Sequence, residues 1–88
     1  MSMPPALDAG PVLAELVGVM VRAIVDAESD VRTVVIETGG LVVIEVAVAR
    51  GDVGKVIGRE GAMALALRTL LSNAARKYGK RSELRILE

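Results

Sequence analysis

The sequence predicts an α+β fold, a three-stranded sheet with helices packed on one face, in the order α-β-β-α-α-β. Three observations indicate it. Residues 12–27 and 62–78 repeat apolar residues at helical spacing, two runs rich in Val and Ile flank a Gly-Gly pair, and residues 82–87 alternate between apolar and polar. A chain of 88 residues is one domain in size.

The first helix is expected after a short leader. Residues 1–10 are predicted to be flexible, which leaves residues 11–88 as a single domain. Pro11 suits the first turn of a helix, where its missing N–H costs nothing. The following residues place apolar side chains on one helix face: Leu13, Leu16, Val17, Met20 and Ile24.

The apolar arc of this helix is about twice as wide as a surface helix needs. Five further residues widen it on its two sides: Val12, Val19, Ala23, Val21 and Val25. Only Glu15, Arg22 and Asp26 form a clear polar strip. Either the helix lies deep in the core or its second apolar edge meets a partner, and the small size of the domain favours the partner.

A β-hairpin is predicted next. Residues 31–38 are rich in β-branched residues, and Gly39 and Gly40 suit a two-residue turn that needs positive φ. Residues 41–48 are apolar except for Glu45, so this strand is expected in the centre of the sheet. Its core-facing residues are predicted to be Val42, Ile44, Val46 and Val48.

Two helices and a last strand complete the prediction. Asp52 is expected to cap a short helix that runs to Ile57. A second helix follows over residues 62–78, and Gly79 suits the position after its end. Its predicted apolar side consists of Met63, Leu67, Leu70, Leu71, Ala74 and Tyr78. In the last strand, residues 82–87, Leu84 and Ile86 are expected to face inward.

Composition excludes several classes of function. The sequence contains no Cys and no His, which removes disulfides, thiol nucleophiles, Cys/His zinc sites and imidazole catalysis, and no cofactor is expected. Asp52 and Glu60 are the one acid/base pair that suggests itself, but no nucleophile or metal cluster accompanies them, so no enzyme is predicted. No apolar stretch is long enough for a membrane span, so a soluble protein is expected, and the missing Cys fits an intracellular compartment.

Charge is unevenly distributed along the chain. Residues 1–48 carry two basic and seven acidic side chains, whereas residues 49–88 carry nine basic and four acidic ones. The net charge of zero therefore hides a basic second half, which is typical of a nucleic-acid-binding face, although chance clustering on solvated helices is the alternative. The single aromatic residue, Tyr78, nearly excludes binding by base stacking on aromatic rings.

The predicted loop between the two later helices carries the functional signal. Gly58-Arg59-Glu60-Gly61 follows an apolar Val-Ile pair and directly precedes the long helix. Glycines allow a sugar-phosphate backbone to approach closely, and the N-terminus of a helix favours a phosphate. The pattern resembles the KH domain, whose GxxG loop clamps a single-stranded segment. Bases are then expected in a groove between the helices and a neighbouring strand edge.

The resemblance extends beyond the loop. Residues 52–61, 67–72 and 79–81 look like the KhpA-like family of small bacterial single-KH proteins, with the type II element order, over about residues 12–88. It implies a cytoplasmic RNA chaperone or post-transcriptional regulator of single-stranded RNA, linked to cell shape. It also implies a homodimer or a heterodimer with a larger KhpB/Jag-like RNA-binding protein.

The predicted RNA-binding residues follow from the motif and from one arginine on the long helix. They are Lys55, Val56, Ile57, Gly58, Arg59, Glu60, Gly61 and Arg68. Val56 and Ile57 are expected to form core and groove floor. Glu60 departs from the family, which usually has basic or neutral residues in the middle of the loop, and it is expected to weaken the electrostatic attraction. The alternative function is a dimerisation or scaffold module with little direct RNA binding.

Overall fold

The computed structural model describes residues 9–88. Its helices and strands are α1 (Ala9–Arg22), β1 (Arg32–Thr38), β2 (Leu41–Ala47), α2 (Val53–Ile57), α3 (Ala62–Lys77) and β3 (Arg81–Ile86). The predicted α-β-β-α-α-β order is confirmed. Residues 1–8 of the predicted leader lie outside the described part of the chain. Its last two residues, Ala9 and Gly10, are helical and buried in α1, so the predicted boundary falls too late.

The sheet has the order β1-β2-β3, which confirms the central position of β2. β1 and β2 pair antiparallel through the turn at Gly39 and Gly40, whose φ angles are 54° and 81°. β3 pairs parallel to β2, from Leu41 opposite Arg81 to Val46 opposite Ile86. A parallel pair needs a long crossover, and α2, the loop and α3 supply it.

The core lies between the sheet and the helices. α1 packs on β1 and β2, and α3 packs on β3. The core face of β2 is as predicted, with Val42, Ile44 and Val46 completely buried. At Gly10 an added Cβ would lie 2.7 Å from Val35 Cγ1, so α1 crosses β1 at a distance that only glycine permits.

The first helix is shorter than predicted. α1 ends at Arg22 rather than Ala27, because the following segment leaves the helix and turns toward α2, where Asp52 binds its backbone. The buried face centres on Leu13, Val17 and Val21. Part of the excess apolar arc is left exposed: Val12 is 38% and Val19 52% accessible.

The second long helix is rotated relative to the prediction. Leu67 and Leu71 are buried as expected, but Leu70 is 54% exposed, so its assignment to the apolar side is wrong. Ala64 and Ala75 take its place in the core. Because alanine is small, this side of α3 can approach the sheet closely, which turns Leu70 outward.

The end of α3 confirms the role predicted for Gly79. Its φ is 70°, and its N–H donates to Arg76 O at 3.0 Å. Lys80 N–H donates to Ala75 O, also at 3.0 Å. This pair of bonds is the Schellman motif, which satisfies the last carbonyls of the helix and directs the chain into β3.

Candidate functional site

The loop Gly58–Gly61 is a single tight turn between α2 and α3. Gly58 N–H donates to Gly54 O at 2.8 Å and closes α2, and Gly61 N–H donates to Gly58 O at 3.1 Å. Three of its four residues have positive φ angles: Gly58 at 79°, Glu60 at 55° and Gly61 at 78°. Gly61 is the residue before the first turn of α3, so the loop ends at the positive end of a 16-residue helix.

The two glycines of the loop have different structural roles. A Cβ at Gly58 would lie 2.6 Å from Met63 Cβ and 2.7 Å from Met63 N, so this glycine is required by packing within the protein. A Cβ at Gly61 would meet nothing within 4 Å. Gly61 therefore leaves an open surface beside the helix N-terminus, which is the surface a phosphate requires.

The two middle residues of the loop are exposed. Glu60 adopts left-handed backbone angles, which cost a non-glycine residue roughly 1–2 kcal/mol. Within residues 9–88 neither Arg59 nor Glu60 has an ion-pair partner. Both charges are thus available to a ligand, and the acidic one lies at the end of the helix dipole that favours a negative charge.

Asp52, directly before α2, connects this short helix to the segment that follows α1. It makes no side-chain cap bond to α2, so the predicted N-cap role is wrong. Its buried carboxylate instead accepts hydrogen bonds from Asp26 N–H at 3.2 Å and Ala27 N–H at 3.0 Å. The bond from Ala27, together with those from Asp26 and Lys55, lowers the pKa of Asp52 despite its burial.

Lys55 belongs to the same network. Its ammonium lies 3.0 Å from Asp26 Oδ2 and 3.4 Å from Asp52 Oδ1. The bond to Asp26, followed by the other attractions to the two carboxylates, raises the pKa of Lys55. Lys55 therefore stabilises the contact between α2 and the segment after α1, and its charge is shared between that contact and any ligand.

The remaining predicted site residues divide between core and surface. Val56 is completely buried, so its side chain is core under the loop and offers no contact surface. Ile57 is half-buried at the end of α2. Arg68, on α3, is exposed, and its Nη2 donates to Leu84 O on β3 at 3.3 Å. The structure thus places Arg68 across a groove from the free edge of β3.

A cavity of about 260 Å³ opens in this groove between α3 and β3. Its lining residues are Arg68, Leu71, Ser72, Ser82, Glu83 and Leu84. Of these six, the sequence predicts only Arg68 as a site residue. Ser72 and Ser82 carry no local signal, since their common position depends on the parallel pairing of β3 with β2.

Metal-binding clusters of three or more Asp or Glu side chains are absent from the described residues. None of the helices in residues 9–88 has the length and apolar character needed to cross a membrane.

Comparison with known proteins places these features in a family. The model of the KhpA/KhpB KH domain matches residues 14–86. The chain is 43% identical to the RNA-binding protein KhpA of Borreliella burgdorferi over 74 residues, which are 84% of this chain and 90% of that protein. It is 45% identical to the RNA-binding protein KhpA of Aquifex aeolicus over 76 residues, 86% of this chain and 96% of that protein.

A solved structure shares the fold. A crystal structure of an Aquifex aeolicus Era variant bound to GDP.AlF4- superposes with a TM-score of 0.67 at 16% identity. The match covers 97% of this chain but only 32% of the Era chain, so the likeness is to one part of that protein and concerns the fold alone.

Proposed function

The chain belongs to the KhpA/KhpB family of KH domains, and on that basis we propose that it is a single-stranded RNA-binding protein that holds the sugar-phosphate backbone at Gly58–Gly61. The relatives that share its sequence are RNA-binding proteins, which supports a binding function rather than catalysis. We further propose that it acts in the cytoplasm, as an RNA chaperone or a post-transcriptional regulator.

One observation carries the proposal. The surface beside Gly61, at the start of α3, is open, whereas Met63 occupies the space beside Gly58. A phosphate beside Gly61 would meet the positive dipole of α3, while the N–H groups of Gly61 and Ala62 themselves donate to Gly58 O and Arg59 O. Arg59 adds a charge at this position, and Lys55 adds one that it shares with two carboxylates.

The proposed contact is electrostatically modest. Glu60 offsets the charge of Arg59, and Arg68 lies about two helix turns further along α3. We therefore assign most of the holding to backbone groups, with few phosphates neutralised. Binding by one domain alone is expected to be weak, and pairing of two domains would strengthen it through effective concentration.

A salt titration tests the proposal. Three to five phosphate contacts by the cations of the basic half give a slope of log affinity against log salt of roughly −2 to −4 for a single strand. We expect this shallow slope in fluorescence anisotropy with a labelled single-stranded RNA, and weaker binding of a duplex of the same sequence. An affinity that does not change between low and moderate salt would contradict the phosphate contacts.

A dimerisation module is the second candidate, favoured by the exposed apolar edge of α1. Val12 and Val19 are 38% and 52% accessible on a helix whose other face is buried. Self-association, or pairing with a KhpB/Jag-like RNA-binding protein, would cover this edge. The two functions are compatible, because the edge and the loop Gly58–Gly61 are on different elements.

We expect Val19→Asp to convert a dimer into a monomer without loss of fold, because a carboxylate on this edge cannot be desolvated cheaply. Multi-angle light scattering across a concentration series measures the change, and Leu65→Asp, on an exposed position of α3, is the control for added charge. A wild-type chain that stays monomeric at high concentration would remove the homodimer.

A further inference from the structure

A single stripe of α3 connects the loop to the cavity between α3 and β3. Four residues stand at positions i, i+4, i+7 and i+11 along the same side of this helix: Gly61, Leu65, Arg68 and Ser72. At 1.5 Å per residue, Arg68 lies about 10 Å along the helix axis from Gly61. A strand whose phosphate sits at Gly61 would therefore reach the cavity within the four-nucleotide length that a GxxG loop clamps.

The middle of the stripe is apolar and bare. Leu65 is 66% exposed, the highest value among the large hydrophobic residues of residues 9–88. It lies between Gly61 and Arg68 on the stripe, so it offers an aliphatic surface on which a base can lie. The Leu65 side chain is not part of the hydrophobic core.

The third position of the stripe presents a guanidinium that is held by one hydrogen bond. Leu84 O accepts one N–H of Arg68 at 3.3 Å, which ties the side chain across the groove. Glu83 also lines the cavity, but its carboxylate is bound to Arg85 Nε at 2.6 Å. Within residues 9–88, no carboxylate lies within ion-pair distance of Arg68. A guanidinium has five N–H donors, so most of them remain for a ligand.

We infer that the cavity accepts one base of the bound strand, and that Arg68 makes it prefer cytosine or guanine. This inference rests on the proposed RNA-binding function. Two neighbouring N–H donors of a guanidinium match two neighbouring acceptors, which guanine presents at O6 and N7 and cytosine at N3 and O2. Adenine and uracil place an N–H donor beside each acceptor on these edges, so one hydrogen bond would be lost. Arg68 is thus the specificity-determining residue of an otherwise sequence-tolerant site.

The test uses four single-stranded RNAs, each a uridine tract whose central position is U, A, C or G. Affinities are measured by fluorescence anisotropy on the wild-type chain. We expect the C and G oligonucleotides to bind at least about fivefold more tightly than the A and U oligonucleotides, the lower end of what a bidentate contact gives. Arg68→Lys keeps the charge but loses the planar fork, so it should bind all four with the affinity of the U oligonucleotide.

Arg76→Lys, on an exposed position of the same helix outside the cavity, is the matched control and should keep the preference. Leu65→Ser should weaken all four oligonucleotides alike. Equal affinities on the wild-type chain, or a preference that survives in Arg68→Lys, would overturn the inference and leave the proposed function standing. No binding of any of the four would defeat the proposed function itself.

Discussion

Replacing Arg59 and Glu60 together with aspartate is expected to weaken RNA binding by about 100-fold and to leave the fold intact. The change removes the cation of Arg59 and leaves two carboxylates where the proposed phosphate lies, and like charges brought together at an interface cost several kcal/mol. The fold should survive because both side chains are exposed. Aspartate also tolerates the left-handed angles at position 60 better than glutamate does. Fluorescence anisotropy with single-stranded RNA and circular dichroism melting measure the two effects.

The control for this variant is Arg76→Asp, which changes the net charge by the same two units on an exposed part of α3. We expect it to lower the affinity only slightly, by weakening the overall field of the basic half. If the double aspartate variant binds RNA normally, the loop is not the site, and the groove between α3 and β3 must hold the strand without it.

Gly58→Ala is expected to lower the free energy of unfolding by about 3–5 kcal/mol, from backbone strain and overpacking together. The angles of Gly58, φ 79° and ψ 172°, fall in a region that is essentially restricted to glycine. The new Cβ would also overlap Met63 Cβ and N, at 2.6 Å and 2.7 Å. A chain of 88 residues has a total stability of about 4–13 kcal/mol at typical values per residue. Urea denaturation should therefore show a large loss of stability.

The other two glycines of this region are matched controls for Gly58→Ala. Gly54→Ala meets nothing within 4 Å in helix α2 and should leave stability unchanged or raise it slightly. Gly61→Ala also has room, but its φ of 78° costs roughly 1–2 kcal/mol. We expect Gly61→Ala to lose RNA affinity although it stays folded. Equal stability of the Gly58 and Gly54 variants would contradict the packing role of Gly58.

The element order and the sheet were predictable because they depend on periodicity and on local turn residues. The Gly39-Gly40 turn and the cap at Gly79 are set by residues next to each other in the chain, and the apolar run of β2 required a central strand. The end of α1 was not predictable in the same way. Ala23 and Val25 still donate to Val19 O and Val21 O, but the N–H groups of Asp26 and Ala27 donate instead to a carboxylate more than twenty residues away.

The site was predictable in position but not in mechanism. The spacing of the two glycines located the loop. The sequence does not distinguish Gly58, which packs on Met63, from Gly61, which faces open space. The exposure of Leu70 likewise depends on how α3 rotates over the sheet, which two alanines decide. The cavity under Arg68 is formed only when β3 aligns in parallel with β2.

The hydrogen bonds that the Asp52 carboxylate accepts from the backbone N–H groups of Asp26 and Ala27 limit which part of the chain can be transplanted alone. They link positions 25 and 26 residues apart, so the short helix before the loop is anchored to the segment that follows α1. A fragment of only the β2-α2-α3-β3 unit would keep every residue of the GxxG loop but lose this anchor. Grafting of the loop into another protein would therefore have to supply two N–H donors for the Asp52 carboxylate, in place of those of Asp26 and Ala27.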